Sequence, residues 1–495
     1  MEGYFKQFRD NIVGIDQAYI GADGRRLKMI YADWIASGRL YRPIEEKMVR
    51  EFGPFVANTH TETSETGTRM THAYHHAHRR IKEHVHAGPG DVIITLGSGM
   101  TSAVNKLIRI LGMRLGVIEE PWLLENLNRK RIAQRPVVFV THMEHHSNQT
   151  PWLESIAEVV VVPPGKDLRV DPGHLEAELK KHRHRPVKIG AFSACSNVTG
   201  IRVPVHELAR IMHENSGICL VDYAAAAPYE KIDMHPGNPE ERLDGIYFSP
   251  HKFLGGPGAC GVLIFNSSLY RRKIPDHPGG GTVKWTNPWG EHRYFDDIEL
   301  REDGGTPGFL QAIRAALSIE LKEQMGVDKM RRREDQLLEK AFRGLAGIPG
   351  VVVLAEESRD RIGCISFYSR EIHYNLIVKL LSDRFGIQVR GGCTCAGTYG
   401  HMLLNVDRET SRGIARKIDR GDLSGKPGWV RLSLHPTMTD GELDRVLNAL
   451  TEIVSRGKNW GQDYRYSPST NEFYHRQPAR DRQEIIRRWF TLPRE

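Results

Sequence analysis

Cysteine is scarce in this sequence, with six residues among 495. None of the six forms a CxxC pair or a zinc-finger spacing, and so few thiols in a chain of this length cannot build a disulfide framework. The sequence therefore predicts a reducing, cytoplasmic location. A cysteine with a function in that location is expected to be catalytic rather than structural.

Long apolar runs are also lacking. No stretch approaches the ~20 uninterrupted apolar residues that a membrane-spanning helix needs, and the N-terminal residues hold no apolar segment typical of a secretory signal. The balance of 69 basic against 61 acidic residues gives a mild net charge of +8, which permits anionic substrates without requiring nucleic acid. We therefore expect a globular protein that binds neither membrane nor nucleic acid.

Seven short apolar runs rich in β-branched residues lie between about residues 91 and 266. They are DVIITLG (91–97), PVVFVTH (136–142), EVVVVP (158–163), VKIGAFSAC (187–195), GICLVDYA (217–224), GIYFSP (245–250) and ACGVLIFN (259–266). Helical periodicity fills many of the gaps between them. This pattern predicts an α/β fold with a mostly parallel sheet covered on both faces, and ligands at the carboxyl ends of its strands.

The remaining segments predict further domains. We expect an N-terminal arm at 1–25, a large α/β domain at 26–315, a smaller α+β domain at 316–456 and a basic C-terminal extension at 457–495. The extension could be a short docking helix or a partner surface. Within the large domain, the Gly/Pro-rich segment from about 275 to 308 is expected to form long loops.

Polar residues follow four of the predicted strands. The segment LGSGMTSAVN (96–105) is either a tight turn or a phosphate site, in which the helix N-terminus and the Thr101 hydroxyl would supply donors. His145 and His146 follow the next strand, and their adjacent spacing makes a metal site a poor prediction. The histidines of the preceding helical segment, His72, His75, His76 and His78, are interpreted as a solvated helix face.

Asp222 and Lys252 follow two later strands. Asp222 could cap a helix or hold a protonated heterocycle nitrogen. Lys252 could be an ordinary surface residue or an amine that bonds to a carbonyl. An anion site, a histidine, an acid and a lysine in this order at successive strand ends are what pyridoxal 5′-phosphate (PLP) requires.

With these residues in place, the sequence resembles the class V aminotransferase fold family, and within it the cysteine desulfurases and selenocysteine lyases. The resemblance extends to about residue 455 and is strongest to a divergent branch that shares YADWIASGR, NTHTETSETG, FSPHKFLGGPG and RGGCTCAGTYGH. It implies a fold-type I PLP-dependent transferase, with a large domain built on a seven-stranded, mostly parallel sheet and a smaller α+β domain.

The resemblance also implies roles for individual residues. Lys252 would bond covalently to the cofactor, Asp222 would pair with its pyridine nitrogen, and His145 would stack on its ring and help to move protons. Asn197 would lie beside the cofactor hydroxyl and the substrate. The remaining cofactor contacts would be made by Gly99, Met100, Thr101, Ser249, His251 and, across a homodimer with shared active sites, Thr306.

In the smaller domain, the resemblance places a nucleophilic cysteine at Cys395, with Arg390 nearby and Arg431 binding the substrate carboxylate. Two features depart from the family pattern. Ala225 stands where desulfurases usually have a glutamine that bonds the cofactor oxygen, and the cysteine loop holds a Cys393–Cys395 pair, which could be redox-active.

These residues favour a PLP-dependent enzyme that takes sulfur from L-cysteine, giving alanine and an enzyme persulfide for a sulfur-acceptor protein. An aminotransferase, an epimerase or another amino-acid lyase remains an alternative, as does a non-catalytic scaffold that binds through the basic tail. No metal is expected. The substrate in the enzyme hypotheses is a small amino acid.

Overall fold

The computed structural model describes residues 1–114, 134–477 and 482–492. Within these ranges, no helix combines the length and the apolar character needed to cross a membrane. The helices are α1 (Glu2–Arg9), α2 (Arg42–Lys47), α3 (Glu65–His84), α4 (Met100–Ile110), α5 (His146–Leu153), α6 (Pro172–Lys181), α7 (Val205–Glu214), α8 (Ile298–Glu302), α9 (Phe309–Met325), α10 (Val327–Ala346), α11 (Tyr374–Phe385), α12 (Gly397–Leu403), α13 (Arg408–Ile418), α14 (Asp440–Trp460) and α15 (Arg482–Trp489).

The strands are short and fall into one large sheet, one smaller sheet and several two-stranded pairs. They are β1 (Ala18–Ile20), β2 (Arg26–Lys28), β3 (Ile30–Tyr31), β4 (Asp91–Leu96), β5 (Val137–Thr141), β6 (Glu158–Val162), β7 (Lys188–Ser193), β8 (Ile218–Asp222), β9 (Gly245–Phe248), β10 (Gly261–Asn266), β11 (Val283–Thr286), β12 (His292–Tyr294), β13 (Val351–Val353), β14 (Cys364–Ser369), β15 (Ile387–Gln388), β16 (Arg390–Gly392), β17 (Trp429–Ser433), β18 (Tyr464–Ser467) and β19 (Glu472–His475).

The large sheet has seven strands in the order β4-β10-β9-β8-β7-β5-β6. Each of the seven predicted runs forms one of these strands, which confirms the predicted α/β fold. Only β10 runs against its neighbours, since it pairs antiparallel with both β4 and β9. The carboxyl ends of β4, β5, β7, β8 and β9 therefore meet at one edge of the sheet, where a ligand site is expected.

Apolar cores lie on both faces of this sheet. Along β5, Val137 and Phe139 pack into one buried cluster, whereas Val138 and Val140 pack into another. Successive side chains of a strand point to opposite faces, so a strand covered on both faces is apolar at nearly every position between its ends. This is why β5 appears in the sequence as an unbroken run, with all five residues buried.

A smaller antiparallel sheet, β13-β14-β17-β16, lies in the C-terminal part of the chain. Its core includes Phe367 from β14, Leu338 from α10, Leu380 from α11 and Leu450 from α14. The N-terminal strand β3 pairs in parallel with β15, which brings the chain just after Tyr31 to this sheet.

Two segments have more structure than the sequence predicted. The Gly/Pro-rich segment contains the hairpin β11–β12 and helix α8, whereas its sequence predicts only long loops. The side chain of Asn287 accepts hydrogen bonds from the backbone N–H groups of Trp289 and Glu291, and thereby fixes the hairpin turn. Near the C-terminus, α14 continues to Trp460 and the hairpin β18–β19 follows it.

Candidate active site

A cavity of about 280 Å³ opens at the carboxyl edge of the large sheet. That volume is just below the range of about 300–1,000 Å³ that is typical of cofactor and ligand sites. Nearly all of the sequence-predicted site residues line it: Gly99, Met100, Thr101, His145, Asn197, Asp222, Ser249, His251, Lys252, Arg390, Cys395 and Arg431. Thr306 is the exception, because it lines a neighbouring surface depression together with Thr101.

Asp222 and Lys252 form the floor of the cavity. Asp222 ends the buried strand β8, and its Oδ1 accepts a hydrogen bond from the Ala224 N–H at 2.7 Å. Burial raises the pKa of Asp222 to about 7, although the charge of Lys252 opposes the rise. Lys252 lies in a short 3₁₀ turn, Pro250–Lys252, directly after β9. Burial also lowers the pKa of Lys252, with Asp222 opposing that fall.

These two shifts have a chemical consequence. Desolvation disfavours the charged forms of both side chains. The lowered pKa of Lys252 makes its neutral amine, the form that acts as a nucleophile or a base, easier to reach. A cationic ring nitrogen beside Asp222 would lower the pKa of that carboxyl group by direct charge attraction. The floor of the cavity therefore suits a protonated heterocycle.

The N-terminus of α4 forms one end of the cavity. The Ser249 side chain accepts a hydrogen bond from the Met100 N–H at 2.8 Å, and a Cβ added at Gly99 would lie 2.9 Å from Ser249 Oγ and 3.7 Å from the His251 ring. Glycine is needed at 99 because the chain approaches these side chains so closely. A helix N-terminus with hydroxyl groups around it is suited to bind a phosphate.

Helix α5 begins beside the same end of the cavity. Thr101 Oγ1 donates to Ser147 Oγ at 2.8 Å, which joins the first turns of α4 and α5. Two helix N-termini thus lie against the same end of the cavity and strengthen its preference for an anion.

His145 caps α5, and its Nδ1 accepts a hydrogen bond from the Ser147 N–H at 3.0 Å. This bond assigns the imidazole proton to Nε2. Burial and the neighbouring charge of Lys252 lower the pKa of His145 to about 3. The ring is therefore neutral at physiological pH, and it is free of the charge that would repel a cationic ring stacked on it.

Asn197 carries an unsatisfied acceptor. Its Nδ2 donates to the Thr394 carbonyl oxygen at 2.7 Å, whereas its buried Oδ1 has no hydrogen-bond partner in the described part of the chain. Buried polar atoms in native proteins almost always have a partner. A ligand hydroxyl group in the cavity would supply the missing donor.

Two arginines lie side by side on the wall formed by the smaller sheet. Arg390 and Arg431 occupy paired positions on β16 and β17. Arg431 is buried, and its Nη1 donates to the Asn197 carbonyl oxygen at 3.1 Å. Its Nη2 lies 2.8 Å from Asp33 Oδ1, and Arg390 Nε lies 3.1 Å from Asp33 Oδ2. Sequence reasoning missed Asp33, although it lies within the YADWIASGR motif.

The cysteine loop adopts an unusual backbone conformation. Thr394 and Cys395 both have left-handed φ angles, +46° and +59°. Such angles are uncommon for residues other than glycine, most of all for the β-branched Thr394, and they cost free energy. The loop is fixed by the Asn197–Thr394 hydrogen bond and by the His146 N–H, which donates to the Cys395 carbonyl oxygen at 2.7 Å. Cys395 is exposed and lines the cavity, whereas Cys393 is half-buried and does not.

His146 and Glu144 were not assigned roles from the sequence. His146 Nε2 accepts from the Gly397 N–H at 2.9 Å, so this residue ties α5 to the cysteine loop. Glu144 is buried between strand ends and accepts from Thr141 Oγ1 at 2.6 Å and from the Ser193 N–H at 3.1 Å. Burial raises its pKa, and these hydrogen bonds oppose the rise.

The helical histidines behave only partly as predicted. His72, His75 and His76 are exposed on α3, but His78 is buried and its Nε2 lies 3.1 Å from Thr95 Oγ1. The prediction of a solvated face is therefore wrong for His78, since it packs toward the sheet. Among the described residues, no group of three or more histidine, cysteine or acidic side chains could hold a metal ion.

Comparison with known proteins gives consistent matches. The family model for class-V aminotransferases matches residues 30–446. A probable cysteine desulfurase of Halalkalibacterium halodurans is 28% identical over 373 residues, which cover 74% of this chain and 84% of the relative. A probable cysteine desulfurase of Streptomyces coelicolor is 25% identical over 432 residues, covering 86% of this chain and 92% of the relative.

Solved structures share the fold. The apo structure of a cysteine desulfurase from Thermococcus onnurineus aligns with a TM-score of 0.71 at 21% identity, covering 91% of this chain and 98% of that one. The Escherichia coli cysteine desulfurase CsdA aligns with a TM-score of 0.69, also at 21% identity, with the same coverage of both chains.

Proposed function

This chain belongs to the class-V aminotransferase family, and on that premise we propose that it is a PLP-dependent enzyme that removes sulfur from L-cysteine. The observation that carries the proposal is the shared cavity of Lys252, Asp222 and Cys395, which come from three separate segments of the chain. The named relatives support the same activity, since they are probable cysteine desulfurases.

The residues of the cavity fit PLP. Asn197 lines the cavity, and its unpartnered Oδ1 would accept a hydrogen bond from the ring hydroxyl group. The end of the cavity formed by Gly99, Met100 and Ser249 would hold the phosphate. Asp222 would keep the ring nitrogen protonated. When bound, PLP supplies an electron sink that stabilises negative charge at the substrate α-carbon.

Side chains of the protein would bind the substrate and move its protons. Arg431 would bind the substrate carboxylate, because a guanidinium forms paired hydrogen bonds with it. Lys252 Nζ, whose pKa is lowered by burial, would take the proton from the substrate α-carbon. His145 is neutral, with Nδ1 occupied by the Ser147 N–H, so it would act mainly by stacking on the ring.

Cys395 would complete the reaction as a thiolate. Its sulfur would form a bond with the substrate sulfur while the carbon–sulfur bond breaks, and the electron pair of that bond would stay on the substrate carbon. Protonation of this carbon gives alanine, and the sulfur remains as a persulfide on Cys395. The exposure of Cys395 would let an acceptor protein reach the persulfide.

The cysteine loop itself offers a matched test of this route. We expect Cys395→Ala to abolish sulfide and persulfide formation from L-cysteine, whereas Cys393→Ala retains it because Cys393 lies outside the cavity. Alanine and sulfide would be measured together with persulfide by mass spectrometry. Full alanine and sulfide release by Cys395→Ala would show that the persulfide route is wrong.

A second candidate function keeps the cofactor but changes the reaction. Ala225 lines the cavity and cannot donate the side-chain hydrogen bond that a glutamine would give to the cofactor oxygen. An aminotransferase, an epimerase or another amino-acid lyase is compatible with that difference. Product analysis distinguishes these reactions, because they yield a keto acid, a racemised amino acid or ammonia instead of alanine and sulfide.

We also propose that the protein forms a homodimer with shared active sites. Thr306 lies outside the cavity of its own chain, which is compatible with a role at the phosphate of a second subunit. We further propose a cytoplasmic location and a protein that accepts the sulfur.

A further inference from the structure

Asp33 is held rigidly behind the two arginines of the cavity. Its side chain is 14% exposed, and it lies two residues after the end of strand β3. The next residue, Trp34, is buried and stacks on His435 with ring centroids 4.0 Å apart. The indole N–H of Trp34 also donates to the Tyr31 carbonyl oxygen at 2.9 Å. These contacts fix the backbone from which the Asp33 carboxylate projects.

The Asp33 carboxylate forms ion pairs with two guanidinium groups. Asp33 Oδ1 pairs with Arg431 at 2.8 Å and Asp33 Oδ2 with Arg390 at 3.1 Å. Arg431 uses one further N–H on the Asn197 carbonyl oxygen, and a guanidinium has five N–H donors. Donors thus remain on Arg431 for a substrate while its position is fixed from two sides.

The net charge of Asp33, Arg390 and Arg431 determines which substrates these residues favour. Two guanidinium cations and one carboxylate leave a single net positive charge, which one substrate carboxylate neutralises. A second anionic group on the substrate would have to compete with Asp33 for Arg390. Because the Arg390 side chain is 51% exposed, this preference comes from charge balance and not from burial of the second anion. The arrangement favours a substrate with one carboxylate.

We infer that Asp33 is a positioning and specificity-determining residue, which holds Arg431 for the substrate carboxylate and neutralises Arg390, so that the site selects amino acids with a single anionic group. The inference rests on the proposed role of Arg431 in binding the substrate. Removing the charge of Asp33 leaves two net positive charges and opens the site to amino acids with a second carboxylate.

The test compares the binding of L-alanine and L-aspartate to PLP-loaded enzyme by absorbance titration. We expect Asp33→Asn to change the ratio of the two Kd values about tenfold in favour of L-aspartate. This is the effect of one unit charge at position 33 on a second substrate carboxylate about 10 Å away, with an effective dielectric constant of about 20. Asp33→Glu, which keeps the charge, should retain the wild-type ratio. An unchanged ratio in Asp33→Asn would overturn the inference.

Glu442→Gln is the matched control. Glu442 also pairs with an arginine, Arg9, at 2.6 Å, and its side chain is 12% exposed, but it lies away from the cavity. We expect this variant to lose stability without changing the Kd ratio. A shift in Glu442→Gln equal to that in Asp33→Asn would show that loss of an ion pair, and not the charge at this site, is responsible.

A second variant keeps the inference testable if Asp33→Asn does not fold. Arg390→Gln leaves a neutral Asp33–Arg431 pair, so the affinity for L-alanine should fall about tenfold, and an unchanged affinity would contradict the inference. These titrations need no sulfur removal. A failure of the proposed desulfuration would instead be seen as the absence of alanine and sulfide from L-cysteine.

Discussion

Replacing Asp222 by Asn should stabilise the cofactor-free protein while weakening its binding of PLP. Asp222 is 5% exposed, and burial raises its pKa to about 7 from an ordinary value of 3.8. The folded protein therefore holds this proton more tightly than the unfolded chain does. The contribution of Asp222 to the free energy of unfolding consequently falls as the pH rises from about 4 to about 7.

The magnitude follows from the gap between these two pKa values. At about 1.4 kcal/mol for each pH unit, the charged carboxylate costs about 4 kcal/mol above pH 7. Asparagine keeps the oxygen that accepts from the Ala224 N–H but carries no charge. We therefore expect Asp222→Asn to be more stable than the wild type by up to about 4 kcal/mol at pH 8, and nearly equal to it at pH 4.

The assay is denaturant unfolding of both cofactor-free proteins from pH 4 to pH 8, followed by PLP titration of each. Glu334→Gln is a matched control, because burial raises the pKa of Glu334 to about 8 and this residue does not line the cavity. It should gain stability at high pH and bind PLP normally. Equal stability of Asp222→Asn and wild type at pH 8 would refute the reasoning, as would undiminished binding of PLP.

Two further predictions concern the ends of the cavity. Gly99→Ala should weaken PLP binding about tenfold or more, because the new methyl group would lie 2.9 Å from Ser249 Oγ and displace the phosphate donors; PLP titration would measure this, and Gly413→Ala, which meets no atom within 4 Å, should bind normally. His146→Ala should loosen the cysteine loop, because it removes the acceptor of the Gly397 N–H. Faster alkylation of Cys395 with a lower rate of persulfide formation is the expected result, and unchanged values of both would contradict it.

Much of the large domain could be predicted from the sequence because its strands are covered on both faces. A strand such as β7 is buried at all six positions, and its interior residues 189–192 carry no polar side chain. Its boundaries are therefore visible as an apolar run between the polar residues Lys188 and Ser193. The hairpin β11–β12 was missed because its strands are largely exposed. Exposed strands carry no apolar run that could reveal them.

The same contrast holds within the candidate site. Asp222 and Lys252 attracted attention because polar residues that end buried strands need a partner or a function. Asp33 gave no such signal, since an aspartate after a two-residue strand is an ordinary loop residue. Its role depends on Arg431, which lies 398 positions later in the chain.

The local sequence determined which segments of the large domain form strands and which polar residues follow them, because burial imposes a pattern on consecutive residues. Folding alone decided which distant side chains meet. The β16–β17 register places Arg390 beside Arg431, the parallel pairing of β3 with β15 brings Asp33 to both, and the His146 N–H fixes the cysteine loop. Such long-range contacts leave no periodic pattern, since each depends on the packing of segments far apart in the chain.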